Sequence, residues 1–83
     1  MNVTVRYFAS IRERLGASEA IEVAEGSTVG AVRDALIARG EAHATALARG
    51  RALRSALNQV LCGDDAVVGE GAELAFFPPV TGG

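Results

Sequence analysis

The chain has 83 residues, 49% hydrophobic and 22% charged, which is enough for one small folded domain and excludes a second. Eight basic residues, all arginine, and ten acidic residues give a net charge of −2, which excludes the basic surface of a nucleic-acid-binding protein. No charged start followed by an apolar run and no apolar stretch of membrane-spanning length occurs, so we expect a cytoplasmic protein.

Strand and helix signals alternate at the start of the chain. Residues 2–8 alternate apolar and polar with a period of two, which predicts a half-buried first strand. Ser10 and Glu13 have the spacing of a capping box, so a short helix is expected from there to Gly16. A second strand is predicted around Ile21 and pairs with the first as a hairpin.

The middle of the sequence predicts the main helix. Thr28 is a good N-cap, and Gly40 marks the end of the helical pattern. The apolar residues between them recur at helical spacing: Val29, Val32, Leu36 and Ile37. The Ala-rich segment 41–49 is expected to form a further short helix that carries Leu47.

Strand signals return at residues 54–61 and again at 73–77, separated by turn-forming residues that include Gly63 and Gly71. The order ββαβ(β)β predicts an α+β fold of the β-grasp, ubiquitin-like type, with a mixed sheet wrapped around one main helix. The last strand is expected beside the first, with the chain end leaving from a sheet edge. We therefore expect a domain at 1–77 and an extended tail at 78–83.

The tail reads Pro78-Pro79-Val80-Thr81-Gly82-Gly83. Each proline fixes φ and removes a backbone donor, which ends the strand and directs the chain outward. Gly82 and Gly83 have no Cβ atom, so they fit a slot too narrow for other residues. Fully extended, six residues reach about 20 Å. The segment could therefore enter the active site of another protein.

Gly83 ends in an α-carboxylate, which is ionised at neutral pH and can attack the α-phosphate of ATP. Adenylation would turn this poor acyl donor into an activated one. The structural alternative is a frayed glycine tail without function. The combination of an apolar strand, a double proline and a terminal Gly-Gly favours the functional interpretation.

Alternation within the strands also predicts a docking patch. If Tyr7 faces the core, Phe8 faces outward, and only one of Phe76 and Phe77 can be buried. Exposed aromatic residues often belong to partner surfaces. We predict that Phe8, Leu61 and Phe77 form such a patch, with ordinary packing as the alternative.

Two single residues are weaker candidates for chemistry. Cys62 has no second cysteine to pair with, which fits a reducing compartment, and it lies in the apolar run 60–62, where a packed thiol is the common outcome. A sulfur-accepting role is its alternative. His43 has neither a second histidine nor clustered carboxylates nearby, so it is interpreted as a surface residue and no metal site is expected.

Several segments together resemble the small, sulfur-carrying subunit of molybdopterin synthase, within the ubiquitin-like sulfur carrier family. They are Tyr7-Phe8-Ala9, Ile11-Arg12-Glu13, Thr28-Val29, Leu57-Asn58-Gln59 and Ala75-Phe76-Phe77-Pro78-Pro79-Val80-Thr81-Gly82-Gly83. The similarity spans the whole chain. Residues 69–74 depart from the more acidic turn usual in the family, and residues 55–58 depart from its usual Ala-Val-Asn, both with the hydrophobic pattern intact.

The resemblance implies a sulfur relay. A ubiquitin-activating-like adenylyltransferase would use ATP to adenylate Gly83, and a persulfide enzyme would supply sulfur to give a thiocarboxylate. The tail, Pro78 to Gly82, would insert into the large synthase subunit in a heterotetramer and deliver sulfur to the pterin precursor of the molybdenum cofactor. The chain itself would bind no cofactor and no metal, and would act as a non-catalytic sulfur-donor subunit.

Three alternatives stay open at this point. Activated Gly83 could form an isopeptide bond with a lysine of a target protein, as in ubiquitin-like modifiers. It could instead carry sulfur for another pathway, such as thiamine synthesis. In a plain interaction module, the tail would be inert.

Overall fold

The computed structural model describes residues 1–79, which form one mixed five-stranded sheet and three helices. The elements are β1 (Asn2–Tyr7), α1 (Ala9–Leu15), β2 (Ser18–Glu22), α2 (Val29–Ile37), α3 (Glu41–Leu47), β3 (Arg54–Leu57), β4 (Val60–Cys62) and β5 (Glu73–Phe77). The strand order is β2-β1-β5-β3-β4, with β1 and β5 parallel and the other pairs antiparallel. The predicted α+β, β-grasp fold is confirmed.

The sheet is built around the pairing of β1 with β5. Val5 lies opposite Leu74 and Tyr7 opposite Phe76, and all four side chains are at most 1% exposed. The alternation predicted for the first strand is therefore confirmed, since every second residue of β1 enters the core. The expectation that the chain end leaves from a sheet edge is wrong, because β5 is the central strand.

Helix α2 covers the inner face of this sheet. Its N-cap is Thr28, whose Oγ1 accepts a hydrogen bond from the amide of Ala31 at 3.1 Å, as the sequence predicts. Val29, Val32 and Leu36 are completely buried against the strands. Helical periodicity was sufficient to find this helix because its apolar face is long and uninterrupted.

The start of α1 differs from the expected capping box. Phe8 is the N-cap in extended conformation, and no side chain caps the helix. The carbonyl of Phe8 accepts from the amide of Ile11 at 3.2 Å, and Ala9 takes a positive φ of 53°. The chain thus turns sharply straight out of β1, and Ser10 lies inside the first turn, not before it.

The segment expected as one strand at 54–61 is a tight hairpin. Asn58 and Gln59 both have positive φ, 50° and 68°, and join β3 to β4. Two-residue hairpin loops require this left-handed backbone. Asn58 also accepts a hydrogen bond from the amide of Glu73 at 3.0 Å, which anchors the turn to β5. Without a glycine in the pair, the sequence carries only a weak turn signal.

Arg33 of α2 is a buried cation that sequence patterning did not reveal. It is 4% exposed, and its guanidinium donates to the carbonyls of Leu47 at 2.7 Å, Ala48 at 2.6 Å and Arg51 at 3.2 Å. These carbonyls lie at and after the C-terminal end of α3, where the helix leaves acceptors without internal partners. Arg33 therefore connects α2 to α3 and to the loop before β3.

His43 is not a surface residue, in contrast to the expectation. It is half-buried, and its Nε2 lies 2.7 Å from Oε2 of Glu19. The hydroxyl of Tyr7 donates to the same oxygen at 2.6 Å, and Arg39 pairs with the other carboxylate oxygen. The carboxylate of Glu19 thus joins β1, β2, α3 and the end of α2 in one hydrogen-bonded network.

The network shifts the pKa of two of its members. Burial alone would raise the pKa of Glu19, but hydrogen bonds from Tyr7 and His43 and the positive charge of Arg39 lower it below the ordinary value. Burial and the hydrogen bond to Glu19 raise the pKa of Tyr7. The network is therefore most favourable with Glu19 ionised and Tyr7 protonated.

Replacing Arg33 by Met should lower the free energy of unfolding by about 3 kcal/mol, because carbonyls near the end of α3 lose charge-assisted hydrogen bonds. Urea unfolding at neutral pH measures the change. Arg12→Met, on the exposed side of α1, is the matched control and should change stability by less than about 0.5 kcal/mol. Equal effects of the two substitutions would contradict the role of Arg33.

Replacing Glu19 by Gln should make the free energy of unfolding less dependent on pH in the acidic range. The lowered pKa of Glu19 contributes stability that is fully present above its unfolded pKa of about 4.3 and is lost as the pH falls through the folded value. The variant should therefore lose less unfolding free energy than the unmodified chain between pH 7 and pH 3, as measured by urea unfolding at each pH. Glu22→Gln, an exposed residue of the same strand, should behave like the unmodified chain.

Candidate functional site: the groove beside the C-terminal tail

The outer face of the sheet carries a groove of about 640 Å³ at the end where β5 leads into the tail. Ala56 and Ala75 lie opposite each other on β3 and β5 and line its middle. Phe8, Phe77 and the two prolines 78–79 supply larger apolar walls. The groove exists because Ala56 and Ala75 have small side chains, whereas the residues around them on the same face, such as Phe77, are large.

The groove lies on the side of the sheet away from the helices. All three helices contribute buried residues to a single hydrophobic core cluster on the inner face. Tyr7 and Phe76 point into that cluster, so Phe8 and Phe77, which follow them, face outward. No helix within residues 1–79 consequently covers the outer face.

Arg6 is the one cationic group among the lining residues. Its guanidinium lies 5.6 Å from the centroid of the Phe8 ring and 3.7 Å from a carboxylate oxygen of Glu73, which also lines the groove. Both side chains are partly exposed, so this ion pair is weak and screened by salt. The groove therefore has an apolar floor and, at its side, one ion pair that is weak enough for a binding partner to replace.

The structure brings together two of the three predicted patch residues. Phe8 and Phe77 line the same groove, with Phe8 38% exposed and Phe77 half-buried. Leu61 is not among the lining residues. It lies opposite Ala56 on β4, hence on the same face of the sheet, and is 64% exposed. The docking role of the three residues stays a prediction.

The groove is continuous with the start of the tail, since Pro78 and Pro79 form part of its wall. The predicted carrier residues Gly83 and Gly82, and the predicted arm residues Thr81 and Val80, lie outside the described residues. Whatever binds in the groove is therefore placed directly beside the point where the tail begins.

Sequence analysis missed several contributors to the groove, namely Arg6, Ala56, Gln59, Glu73 and Ala75. Strand alternation could have identified Arg6, because it alternates with the buried residues of β1 and therefore lies on the outer face. The two alanines gave no such signal. An alanine in a strand is equally compatible with a packed interior, and only the register shows that Ala56 and Ala75 face each other.

Cys62 is a poor nucleophile in this fold. It is half-buried and packs against the core cluster, as the sequence predicted. Burial raises the pKa of its thiol, with the nearby carboxylates of Asp64 and Asp65 adding to the shift. Little of it is thiolate at neutral pH. Among residues 1–79, no three His, Cys, Asp or Glu side chains come together as a metal-binding group.

None of the helices within residues 1–79 has both the length and the apolar character needed to cross a membrane.

Comparisons with known structures support the fold. The chain is similar to small archaeal modifier protein 1 of Haloferax volcanii, with a TM-score of 0.78, 27% identity and coverage of 95% and 98% of the two chains. It is also similar to a chain in the complex of subunits 1 and 2 of molybdopterin-converting factor from Helicobacter pylori, with a TM-score of 0.69, 26% identity and full coverage of both. A Caldiarchaeum subterraneum ubiquitin, 20% identical with a TM-score of 0.60, shares the fold, covering 100% and 98% of the two chains.

Sequence relatives are closer. The molybdopterin synthase sulfur carrier subunit of Escherichia coli is 41% identical over 81 residues, which cover 98% of this chain and 99% of the relative. The protein of the same name from Haemophilus influenzae is 43% identical over 82 residues, with the same coverage. The ThiS family matches residues 5–83, which include the Gly-Gly end. The chain therefore belongs to the ThiS family, in the group that contains the molybdopterin synthase sulfur carrier subunits.

Proposed function

We propose that this protein is the sulfur carrier subunit of a molybdopterin synthase and that the C-terminus of Gly83 carries the sulfur. The observation that supports this most strongly is the near-complete match to two sulfur carrier subunits, together with a family match that runs to the terminal Gly-Gly, two residues after a double proline. The chemistry then resides in the chain end, and the folded domain presents it.

The proposed reaction at Gly83 has two stages. An activating enzyme binds the tail, and the carboxylate attacks the α-phosphate of ATP, forming an acyl adenylate and releasing pyrophosphate. A persulfide sulfur then displaces AMP, and a thiol cleaves the S–S bond to leave a thiocarboxylate. ATP is thus a substrate of the activating enzyme and not a cofactor of the carrier.

The groove is proposed to seat a partner while the tail enters that partner's active site. Phe8 and Phe77 offer apolar contact area, and Ala56 and Ala75 leave room for an inserted side chain. Pro79, in the tail, forms part of the groove wall. Docking at this position fixes the origin of the tail, which turns delivery of Gly83 into an oriented, effectively intramolecular step.

The partners proposed for this surface follow from the same assignment. The large subunit of the synthase would receive the thiocarboxylate and hold the pterin precursor, in an assembly of two small and two large subunits. A structural relative is a subunit of a two-protein molybdopterin-converting factor complex, which supports a large-subunit partner. The activating adenylyltransferase and a persulfide enzyme are the other two proposed partners. We place this relay in the cytoplasm.

A second candidate function is protein modification through an isopeptide bond at Gly83. The likeness to small archaeal modifier protein 1 favours it, since that protein is named as a modifier and shares the fold over nearly the full chain. Because this chain contains no lysine, self-conjugation through a side chain is excluded. A covalent adduct with a target protein that survives reductant and boiling would identify this function. A sulfur carrier forms a thiocarboxylate without such an adduct.

Replacing Gly82 by Phe should lower the yield of thiocarboxylate by about a hundredfold or more, because a bulky neck displaces Gly83 from the activating site. The yield is measured by mass spectrometry after reaction with the activating enzyme, ATP and a sulfur donor. Gly50→Phe is the matched control, since a Cβ atom added at Gly50 would meet no atom within 4 Å. Normal yield from Gly82→Phe would contradict the proposed role of the glycine neck.

Removing an aromatic wall of the groove should weaken binding to the large synthase subunit by about tenfold or more for Phe8→Ala and for Phe77→Ala. Isothermal titration calorimetry measures the affinity, and circular dichroism verifies that each variant is folded. Val67→Ala removes an apolar side chain that is 60% exposed and lies outside the groove, so it should have little effect. Equal losses from Val67→Ala and Phe8→Ala would show that the groove is not the docking site.

A further inference from the structure

A second, smaller pocket of about 110 Å³ lies between α1, α3 and the loop that precedes β3. Ile11 and Ala46, each 2% exposed, give it a rigid apolar wall. The remaining lining residues are Ser10, Arg14 and Arg51. It shares no lining residue with the groove, so it is a separate site.

The side chains of the residues that line this pocket are positively charged or neutral. Two arginines and one serine are its polar lining residues, and no acidic residue is among them. Arg6, Arg39 and Arg49 each form a salt bridge with a carboxylate, whereas no salt bridge of Arg14 or Arg51 occurs within the described residues. The two guanidiniums at this pocket are therefore available to an external anion.

Two hydrogen bonds hold the backbone of Arg51 in place. Its amide donates to the carbonyl of Ala48 at 2.8 Å, and its carbonyl accepts from the buried guanidinium of Arg33 at 3.2 Å. Arg14 projects from the helix that Ile11 anchors in the core. The buried charge of Arg33 also adds to the positive potential at this loop. The donor groups thus extend from two ordered elements.

We propose that this pocket binds one phosphate-type oxyanion, held by the guanidiniums of Arg14 and Arg51 and by the hydroxyl of Ser10. Guanidinium groups present paired N–H donors that match the oxygens of a phosphate. The volume is a few times that of a water molecule, which occupies about 30 Å³ in the liquid. Inorganic phosphate and the phosphoryl group of a nucleotide share this chemistry, and the test below distinguishes the two sources.

The test is an NMR titration of the full ¹⁵N-labelled chain at constant ionic strength, with sodium phosphate in one series and AMP in the other. We expect saturable shifts of the Ser10 amide and of the side-chain Nε–H signals of Arg14 and Arg51. Affinity should fall about tenfold in Arg14→Gln and in Arg51→Gln, since each loses charge-assisted hydrogen bonds. Arg12→Gln, on the same helix but outside the lining, is the matched control and should bind normally.

Tighter binding of AMP than of phosphate would identify the site as one for a nucleotide phosphoryl group, and equal affinities would identify free phosphate as a sufficient ligand. Shifts that do not saturate, or an equal loss of binding in Arg12→Gln and Arg14→Gln, would overturn the proposal. If Arg51→Gln does not fold, Arg14→Gln alone decides, because the hydrogen bonds by which Arg33 holds the loop go to backbone carbonyls and do not involve Arg14. The carrier is titrated without partners, so the result does not depend on sulfur transfer at Gly83.

Discussion

The parallel pairing of β1 with β5 in the middle of the sheet determines where the tail begins. Both strands run in the same direction, so Phe8 and Phe77 emerge at the same end of the sheet. The prolines that start the tail leave beside Phe8. The groove wall at Phe8, near the start of the sequence, therefore lies next to the point where the tail begins, near its end. No edge strand could fix the tail as firmly, because an edge strand is paired on one side only.

A one-sided core complements this pairing. The helices all pack on the inner face. Two polar interactions connect elements on that side: the Arg33 guanidinium joins α2 to carbonyls at and after the end of α3, and the Glu19 carboxylate joins the strands to α3 and to the end of α2. Buried polar groups of this kind are tolerated only when fully hydrogen-bonded. In residues 1–79, no buried side-chain N or O lacks a partner. The outer face is thereby not needed for packing of the helices within residues 1–79.

Sequence patterning predicted most of the fold, because the strands and the main helix carry clear apolar periodicity. It failed where conformation depends on contacts distant in the chain. The hairpin turn at Asn58 and Gln59 has no glycine, and His43 gains its partner from β2, 24 residues earlier. The groove was only half predictable. Alternation identified Phe8, but the pairing of Ala56 with Ala75 follows from a register that no local pattern contains.

The central claim of the proposed function is that Gly83 carries sulfur. Intact mass spectrometry of the untagged protein, purified from cells that contain its activating enzyme, tests this claim most directly. The account predicts a population in which one oxygen is replaced by sulfur, with fragmentation of the C-terminal peptide placing the change at Gly83. An unmodified Gly83, under conditions in which a known carrier is sulfurated, would contradict it.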